Sequence, residues 1–134
     1  MSEKGENARS MFLEGVNCAQ AVFAVFAEDY GIPREQALKL SSSFGGGLGR
    51  MGEVCGAVSG MAMALGLAEG NTDKEGKLAH YEKVRALVDR FSQVNGGYIC
   101  RELLASGSKG RCADFVYSAA EILENYFNET EKKA

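Results

Sequence analysis

The residues best suited to chemistry in this sequence are four cysteines: Cys18, Cys55, Cys100 and Cys112. No two of them have only two to four residues between them, which is the close spacing that structural zinc sites use. Redox thiols and the ligands of some iron–sulfur clusters need to meet only in space, so wide spacing opposes neither chemistry. A cysteine can also be a small buried hydrophobe that performs no reaction. Three interpretations therefore stay open: redox thiols, ligands of a metal or iron–sulfur cluster, and inert packing residues.

Each cysteine is predicted to lie at the start of a helix. A capping residue or a glycine comes shortly before each one, in the segments Asn17–Cys18, Gly52–Cys55, Gly96–Cys100 and Gly110–Cys112. The unpaired N–H groups and the positive dipole end of a helix start favour thiolate over thiol. Nearby cations lower a thiol pKa further, and the arginines closest in sequence are Arg50, Arg101 and Arg111.

The glycine-rich stretch 44–60 gives Cys55 the strongest helix-start pattern. Seven of the chain's 17 glycines lie in this stretch, and glycine lets a backbone turn sharply or approach another group closely. We therefore predict that Cys55 is the nucleophile, that Cys100 and Cys112 are the partner pair, and that Cys18 is a resolving or supporting thiol. A Cys55 pKa near the ordinary value of about 8.5 would count against this assignment.

The segment Gly47–Gly52 matches the GxGxxG pattern of dinucleotide-binding proteins. That fingerprint requires a preceding strand, whereas residues 37–43 predict the end of a helix, so a Rossmann site is disfavoured. A cradle for another anion or cofactor stays open, with Arg50 as its partner. His80 is the only histidine, and we predict that it is a surface or packing residue.

Composition and charge narrow the class of protein. The chain has 134 residues, 46% of them apolar, and a net charge of −3, which predicts one domain over residues 1–134. No basic cluster stands out, which argues against nucleic acid as a partner. The polar segment Met1–Asn7 is unlike a secretory signal, and the longest uncharged run, Val54–Ala68, is too short to cross a membrane. We expect a cytoplasmic protein without membrane insertion, where reduced thiols or metal ligands are more common than permanent disulfides.

Helical spacing of apolar residues recurs along the chain, and strand-type alternation is hard to find. These patterns predict an all-α bundle of about five to seven helices, with a glycine-rich loop leading into a buried central helix. The predicted helices are 6–13, 18–30, 33–43, 54–67, 74–94, 98–104 and 112–128, with a loop at 106–110 and a solvated tail at 129–134.

Two of the predicted helices have distinctive faces. The fourth carries small residues every four positions, at Gly56, Gly60 and Ala64, which would let a neighbouring helix or a cofactor come close. This bare face and the last helix are candidates to pair across a two-fold axis in a homodimer. The fifth helix is predicted to bury a stripe made of Leu78, Tyr81, Val84, Leu87, Val88 and Phe91.

The four cysteines and their neighbours resemble the C-GCAxxG-C-C family, whose members are assigned a redox role by inference. The matching pieces are Asn17–Cys18 with Gln20 and Ala21, Phe44–Gly47, Cys55–Gly60, Cys100 with Leu103, and Cys112. The similarity spans about Ala8 to Tyr126. Val54 stands where the family name has a glycine, while the Cys-Gly-Ala-x-x-Gly core that follows it is intact.

The resemblance implies that all four cysteines are functional, that the role is redox, and that the protein is bacterial or archaeal and cytosolic. It supplies no substrate. The leading prediction is a thiol oxidoreductase that works by dithiol–disulfide exchange or electron transfer, requires no cofactor, and acts on an unidentified redox partner or small substrate. The alternatives are a metal or iron–sulfur protein that uses the same cysteines, and a non-catalytic helical interaction module.

Overall fold

The computed structural model describes residues 2–105 and 111–133, and nearly all of them lie in helices or tight turns. The helices are α1 (Glu3–Glu14), α2 (Cys18–Ala27), α3 (Arg34–Ser41), α4 (Gly56–Glu69), α5 (Lys77–Asn95), α6 (Cys100–Leu103) and α7 (Cys112–Lys133). Short 3₁₀ turns follow α2 at Glu28–Tyr30 and α3 at Ser42–Phe44. Within the described ranges there is no strand, only one isolated antiparallel bridge between Val54 and Ile99. The predicted all-α fold with up to seven helices is confirmed.

The centre of the core is the crossing of α2 and α4. Every residue of α2 from Ala21 to Ala27 is buried, and α4 buries Met61 and Leu65. A Cβ on Gly60 would lie 2.7 Å from the carbonyl oxygen of Ala19, so only glycine allows this approach. The bare face of α4 therefore packs against α2 within the chain and is not free for a second copy.

The predicted stripe of α5 is wrong in its first half. Leu78 is 71% exposed and Tyr81 is 49% exposed, whereas Leu87 and Phe91 are buried. Asp73 accepts a hydrogen bond from the N–H of Gly76, and the helix begins only after this turn. An apolar stripe marks the face that turns towards the protein, but it does not show how far the neighbouring helices extend beneath it.

The last helix is longer than predicted. Residues 129–133 belong to α7, so the predicted helix end at Asn128 is wrong, while Glu129 and Glu131 are exposed, as expected of a solvated segment. Ala134 lies outside the described residues, as does the predicted loop 106–110. Glu129 pairs with Arg90 of α5 at 3.3 Å, and the Thr130 hydroxyl donates to the carbonyl oxygens of Tyr126 and Phe127. These contacts stabilise the last turns of the helix, for which the polar composition alone does not predict a helix.

The first helix also begins earlier than predicted, because α7 holds its start. The Ser2 hydroxyl accepts a hydrogen bond from the N–H of Gly5 and caps the helix. The N–H of Ser2 donates to the Tyr117 hydroxyl at 2.9 Å, and its own hydroxyl donates to Glu124 at 2.6 Å. The start of the described chain is therefore packed against the middle of α7.

Among the helices of the described residues, none is both long enough and apolar enough to cross a membrane.

Candidate dithiol site

Cys18 is held in place by the cap of its own helix. The Asn17 side chain accepts from the N–H of Gln20, and the Gln20 side chain accepts from the N–H of Asn17, which together form a capping box. The same two side chains also donate to the carbonyl oxygens of Ser42 and Leu38. The predicted cap is confirmed, and these bonds to α3 and the 3₁₀ turn after it make the start of α2 rigid.

The glycine loop turns with left-handed backbone angles. Five consecutive residues, 46–50, have φ between 56° and 76°, and two of them, Leu48 and Arg50, are not glycine. A Cβ on Gly47 would lie 2.6 Å from the Glu53 nitrogen and 2.8 Å from the Cβ of Cys100. The loop can therefore pass directly over Cys100 only because this position has no side chain.

Backbone hydrogen bonds join this loop to the segment that carries Cys100. Around the Val54–Ile99 bridge, the N–H of Cys55 donates to the Tyr98 carbonyl at 2.8 Å, and the N–H of Cys100 donates to the Glu53 carbonyl at 2.6 Å. Cys55 and Cys100 therefore lie on adjacent, paired pieces of backbone. All four cysteines stand where predicted: Cys18, Cys100 and Cys112 open their helices, and Cys55 is the N-cap residue of α4.

The side chains of Cys18 and Cys112 are hydrogen-bonded to each other, and this bond separates their acidities. The Cys18 thiol donates to Cys112 and lowers the pKa of Cys112 to about 6. The same bond, together with burial and negative charge on the other three sulfurs, raises the pKa of Cys18. The lowered pKa favours the thiolate at Cys112, and the thiol that causes the shift is Cys18 rather than Cys100.

Burial overrides the helix start at Cys55. Its side chain is 4% exposed, and loss of solvation raises its pKa to about 11 although the backbone N–H groups of Ala57 and Val58 act in the opposite direction. Burial, together with charge on Cys112, also raises the pKa of Cys100. The prediction of a thiolate-prone Cys55 is wrong: within this site the lowered pKa belongs to Cys112.

Two of the arginines near the cysteines are engaged elsewhere. Arg101 pairs with Glu53 at 2.9 Å, and Arg111 lies over the Phe115 ring and 4.0 Å from Asp114. The lowered pKa of Cys112 has its cause in Cys18, so the predicted effect of neighbouring arginines is not seen there.

An open cavity of about 730 Å³ lies beside Cys18 and Cys112. Asn17, the Gly45–Gly46 backbone and Arg50 border it, together with the apolar side chains Phe12 and Val16. Of the four cysteines, only these two line the cavity. Phe12 and Val16 were not singled out from the sequence, where nothing distinguishes them from ordinary core residues.

The four cysteines are free thiols. Negative charge on Cys55 and Cys100 contributes to the raised pKa of Cys18, so all four sulfurs lie within electrostatic reach of one another. Over the residues that the structure describes, no group of three or more Cys, His, Asp or Glu is close enough to hold a metal ion.

The GxGxxG segment does not form a dinucleotide fingerprint, and His80 lies outside the site. A 3₁₀ turn, not a strand, precedes the segment, so the context that a dinucleotide fingerprint requires is absent in this described part of the chain. His80 lies half-buried in α5 and does not line the cavity.

Comparison with known proteins gives one match. A family model described as "Putative redox-active protein (C_GCAxxG_C_C)" matches residues 16–126. No curated protein and no solved structure matches the chain. The matched segment contains all four cysteines, the glycine loop and the capping box of α2.

Proposed function

The chain belongs to this C_GCAxxG_C_C redox family, and we propose that it is a thiol oxidoreductase that performs thiol–disulfide exchange. Cys112 is the attacking thiolate and Cys18 is the resolving thiol. The observation that carries this proposal is that Cys18 and Cys112 both line an open cavity, where Cys18 lowers the pKa of Cys112. A thiolate that is formed at neutral pH and reachable by a substrate is what the reaction requires.

The reaction balances within the pair. The Cys112 sulfur attacks one sulfur of a disulfide RSSR, which forms a Cys112–SR bond and releases RS⁻. The Cys18 sulfur then attacks Cys112, its proton passes to the second leaving RS⁻, and a Cys18–Cys112 disulfide remains. The protein loses two electrons and the substrate gains them, and an external dithiol restores the reduced pair by the same exchange.

Cys55 and Cys100 are proposed to form a second dithiol that does not meet the substrate directly. The bridge between Val54 and Ile99 keeps their backbones paired, and the pKa of each is raised. Both therefore remain thiols when Cys112 is already ionised, which suits them to act after the first pair rather than before it.

The test is a single-turnover reaction of the reduced protein with 2-hydroxyethyl disulfide, a small neutral disulfide. We expect the wild type to release two small thiols and to form a Cys18–Cys112 disulfide, identified by peptide mapping. Cys18→Ser should stop at a mixed disulfide on Cys112, and Cys112→Ser should react far more slowly. A Cys112→Ser variant that reacts as fast as the wild type would overturn the assignment.

The number of thiols that oxidation consumes distinguishes the Cys18–Cys112 pair from the Cys55–Cys100 pair. A metal analysis tests the alternative metal-binding function. If the second dithiol takes part, prolonged oxidation consumes four thiols per wild-type chain and two per Cys55→Ser chain. Metal analysis and a visible spectrum of anaerobically prepared protein belong to the same experiment. Stoichiometric metal that blocks the reaction with the disulfide would favour the ligand function over exchange.

A further inference from the structure

The cavity beside the reactive pair is larger than two thiols need. Its volume of about 730 Å³ lies in the range of small-molecule sites. Phe12 and Val16 give the cavity apolar walls, and Asn17 adds a polar group. The thiols of Cys18 and Cys112 also line it. A site of this size can hold a whole small-molecule disulfide rather than only the edge of one.

Arg50 brings a positive charge to the cavity. Of the described residues that line it, this is the one with a positively charged side chain. Its side chain is exposed, and within the described ranges it has no salt bridge, whereas Arg101 nearby is bound to Glu53. The guanidinium of Arg50 is therefore available to a ligand, and its five donors suit a carboxylate.

The backbone of the glycine loop is strained at Arg50. Its φ is 64°, in the left-handed region that residues with a side chain rarely adopt. The N–H of Arg50 donates to the Gly45 carbonyl at 3.1 Å and fixes the turn. Strained side-chain positions of this kind gather at binding sites. Leu48 also has a left-handed backbone but does not line the cavity. Of these two strained residues with a side chain, Arg50 is therefore the one that lies at the cavity.

Arg50 is not used to activate the thiolate. The lowered pKa of Cys112 comes from the hydrogen bond that Cys18 donates, with burial acting against it. Two separate groups thus serve the cavity: Cys18 prepares the sulfur nucleophile, and Arg50 offers a cation. A substrate that uses both would carry an anionic group in addition to its disulfide.

From this geometry we infer that the cavity binds a small disulfide bearing carboxylate groups, with Arg50 as the residue that binds a carboxylate while Cys112 attacks the disulfide. This inference rests on the proposed exchange reaction and adds the substrate class to it. Arg50 acts on selection and positioning of the substrate, and the electrons move as described above for the Cys18–Cys112 pair.

The test compares single-turnover rate constants for three probes: oxidised glutathione, which carries carboxylates; 2-hydroxyethyl disulfide, which is neutral; and cystamine, which is cationic. In the wild type the ratio of the glutathione rate to the neutral rate defines the preference. We expect Arg50→Gln to lower this ratio about tenfold, Arg50→Glu to lower it further and to favour cystamine, and Arg50→Lys to retain most of it. Raising the salt concentration should also reduce the wild-type ratio, since exposed charges are screened.

Two control variants separate the effect of the Arg50 charge from general effects of surface charge and loop conformation. Arg85→Gln removes an exposed arginine on α5 and should leave the ratio at its wild-type value. Leu48→Gly removes the strain of a neighbouring left-handed residue without changing the charge and should also leave the ratio unchanged. An equal ratio in the wild type and in Arg50→Gln, with rapid reaction of the neutral disulfide, would overturn carboxylate recognition alone. Failure of all three probes to oxidise the Cys18–Cys112 pair would instead overturn the proposed function.

Discussion

Cys18 and Cys112 have the same side chain but opposite roles, because one hydrogen bond acts on both. The bond stabilises negative charge on Cys112 and lowers its pKa, while it keeps the proton on Cys18 and raises the pKa there. Since the folded pKa of Cys112 lies below its ordinary value, its thiolate persists at pH 7 and is lost as the pH falls through about 6. Reactivity should follow this thiolate fraction.

Removing the donor at position 18 should therefore move the pH dependence of Cys112. In Cys18→Ala, we expect the midpoint of Cys112 alkylation by iodoacetamide to rise by at least about one pH unit towards the ordinary thiol value. Cys18→Ser retains a hydroxyl donor and should shift the midpoint less. Rates measured from pH 5 to pH 10 with peptide mapping give the profile. A midpoint in Cys18→Ala equal to that of the wild type would exclude Cys18 as the cause.

At the scale of single residues, the sequence predicts those features that depend only on neighbours in the chain. The Asn17 cap and the four helix starts depend on residues within one turn, so they could be predicted from the sequence. The pairing of Cys18 with Cys112 depends on how α2 and α7 meet, which no spacing reveals. Burial of Cys55 is also a tertiary effect, and it reversed the pKa direction expected from the helix start.

At the scale of elements, the crossing of α2 and α4 sets the position of Cys18. Gly60→Ala would place a Cβ 2.7 Å from the Ala19 carbonyl oxygen, and backbone atoms cannot yield easily. We expect a loss of about 1–3 kcal/mol in the free energy of unfolding, the usual range for overpacking. Urea denaturation measures it.

Gly66→Ala in the same helix is the matched control. A Cβ there meets nothing within 4 Å, so the higher helix propensity of alanine should stabilise the protein by up to about 1 kcal/mol. A loss of stability in Gly66→Ala similar to that in Gly60→Ala would show that the close contact is not the cause.

The glycine loop permits a second element-scale prediction. Gly47→Ala meets both a left-handed φ of 76° and a contact 2.8 Å from the Cβ of Cys100. Gly31→Ala meets a similar φ of 81° with nothing within 4 Å, so it should cost only about 1–2 kcal/mol of backbone strain. We expect Gly47→Ala to be the less stable variant and to change the rate at which Cys100 is alkylated. Equal stability and unchanged Cys100 reactivity in the two variants would contradict close packing of the loop on this thiol.

At the scale of the whole molecule, the proposed disulfide joins residues that are far apart in the chain. A Cys18–Cys112 bond would close a loop of most of the described residues and restrict the unfolded chain accordingly. We expect the oxidised protein to be more stable than the reduced protein by up to about 4.7 kcal/mol, the chain-entropy value for a loop of this size. Urea midpoints of the two forms measure the difference in a Cys55→Ser background, where the second dithiol cannot close, and Cys112→Ser added to this background should show no such gain with the same oxidant. A reduced form that is as stable as the oxidised form would contradict this prediction.

The overall fold could be predicted more accurately than the ends of its helices and the burial of single residues. Period and composition sufficed for an all-α bundle, for a glycine loop and for the buried helix α4, because these are average properties of long segments. The errors lie where partners decide the outcome. Leu78 and Tyr81 lie on the apolar face of α5 but are exposed, and Glu129 lies in the helix, where it pairs with Arg90.

The hydrogen bond between Cys18 and Cys112 also determines how the midpoint potential of the pair depends on pH. Above pH 6 the reduced pair holds a single proton, on Cys18, because Cys112 is already ionised. Reduction of the disulfide then takes up two electrons and one proton, so the midpoint should fall by about 30 mV per pH unit. Below pH 6 both sulfurs are protonated, and the slope should steepen to about 59 mV per unit. At neutral pH, therefore, the proton that Cys18 shares with Cys112 halves the sensitivity of this couple to acidity.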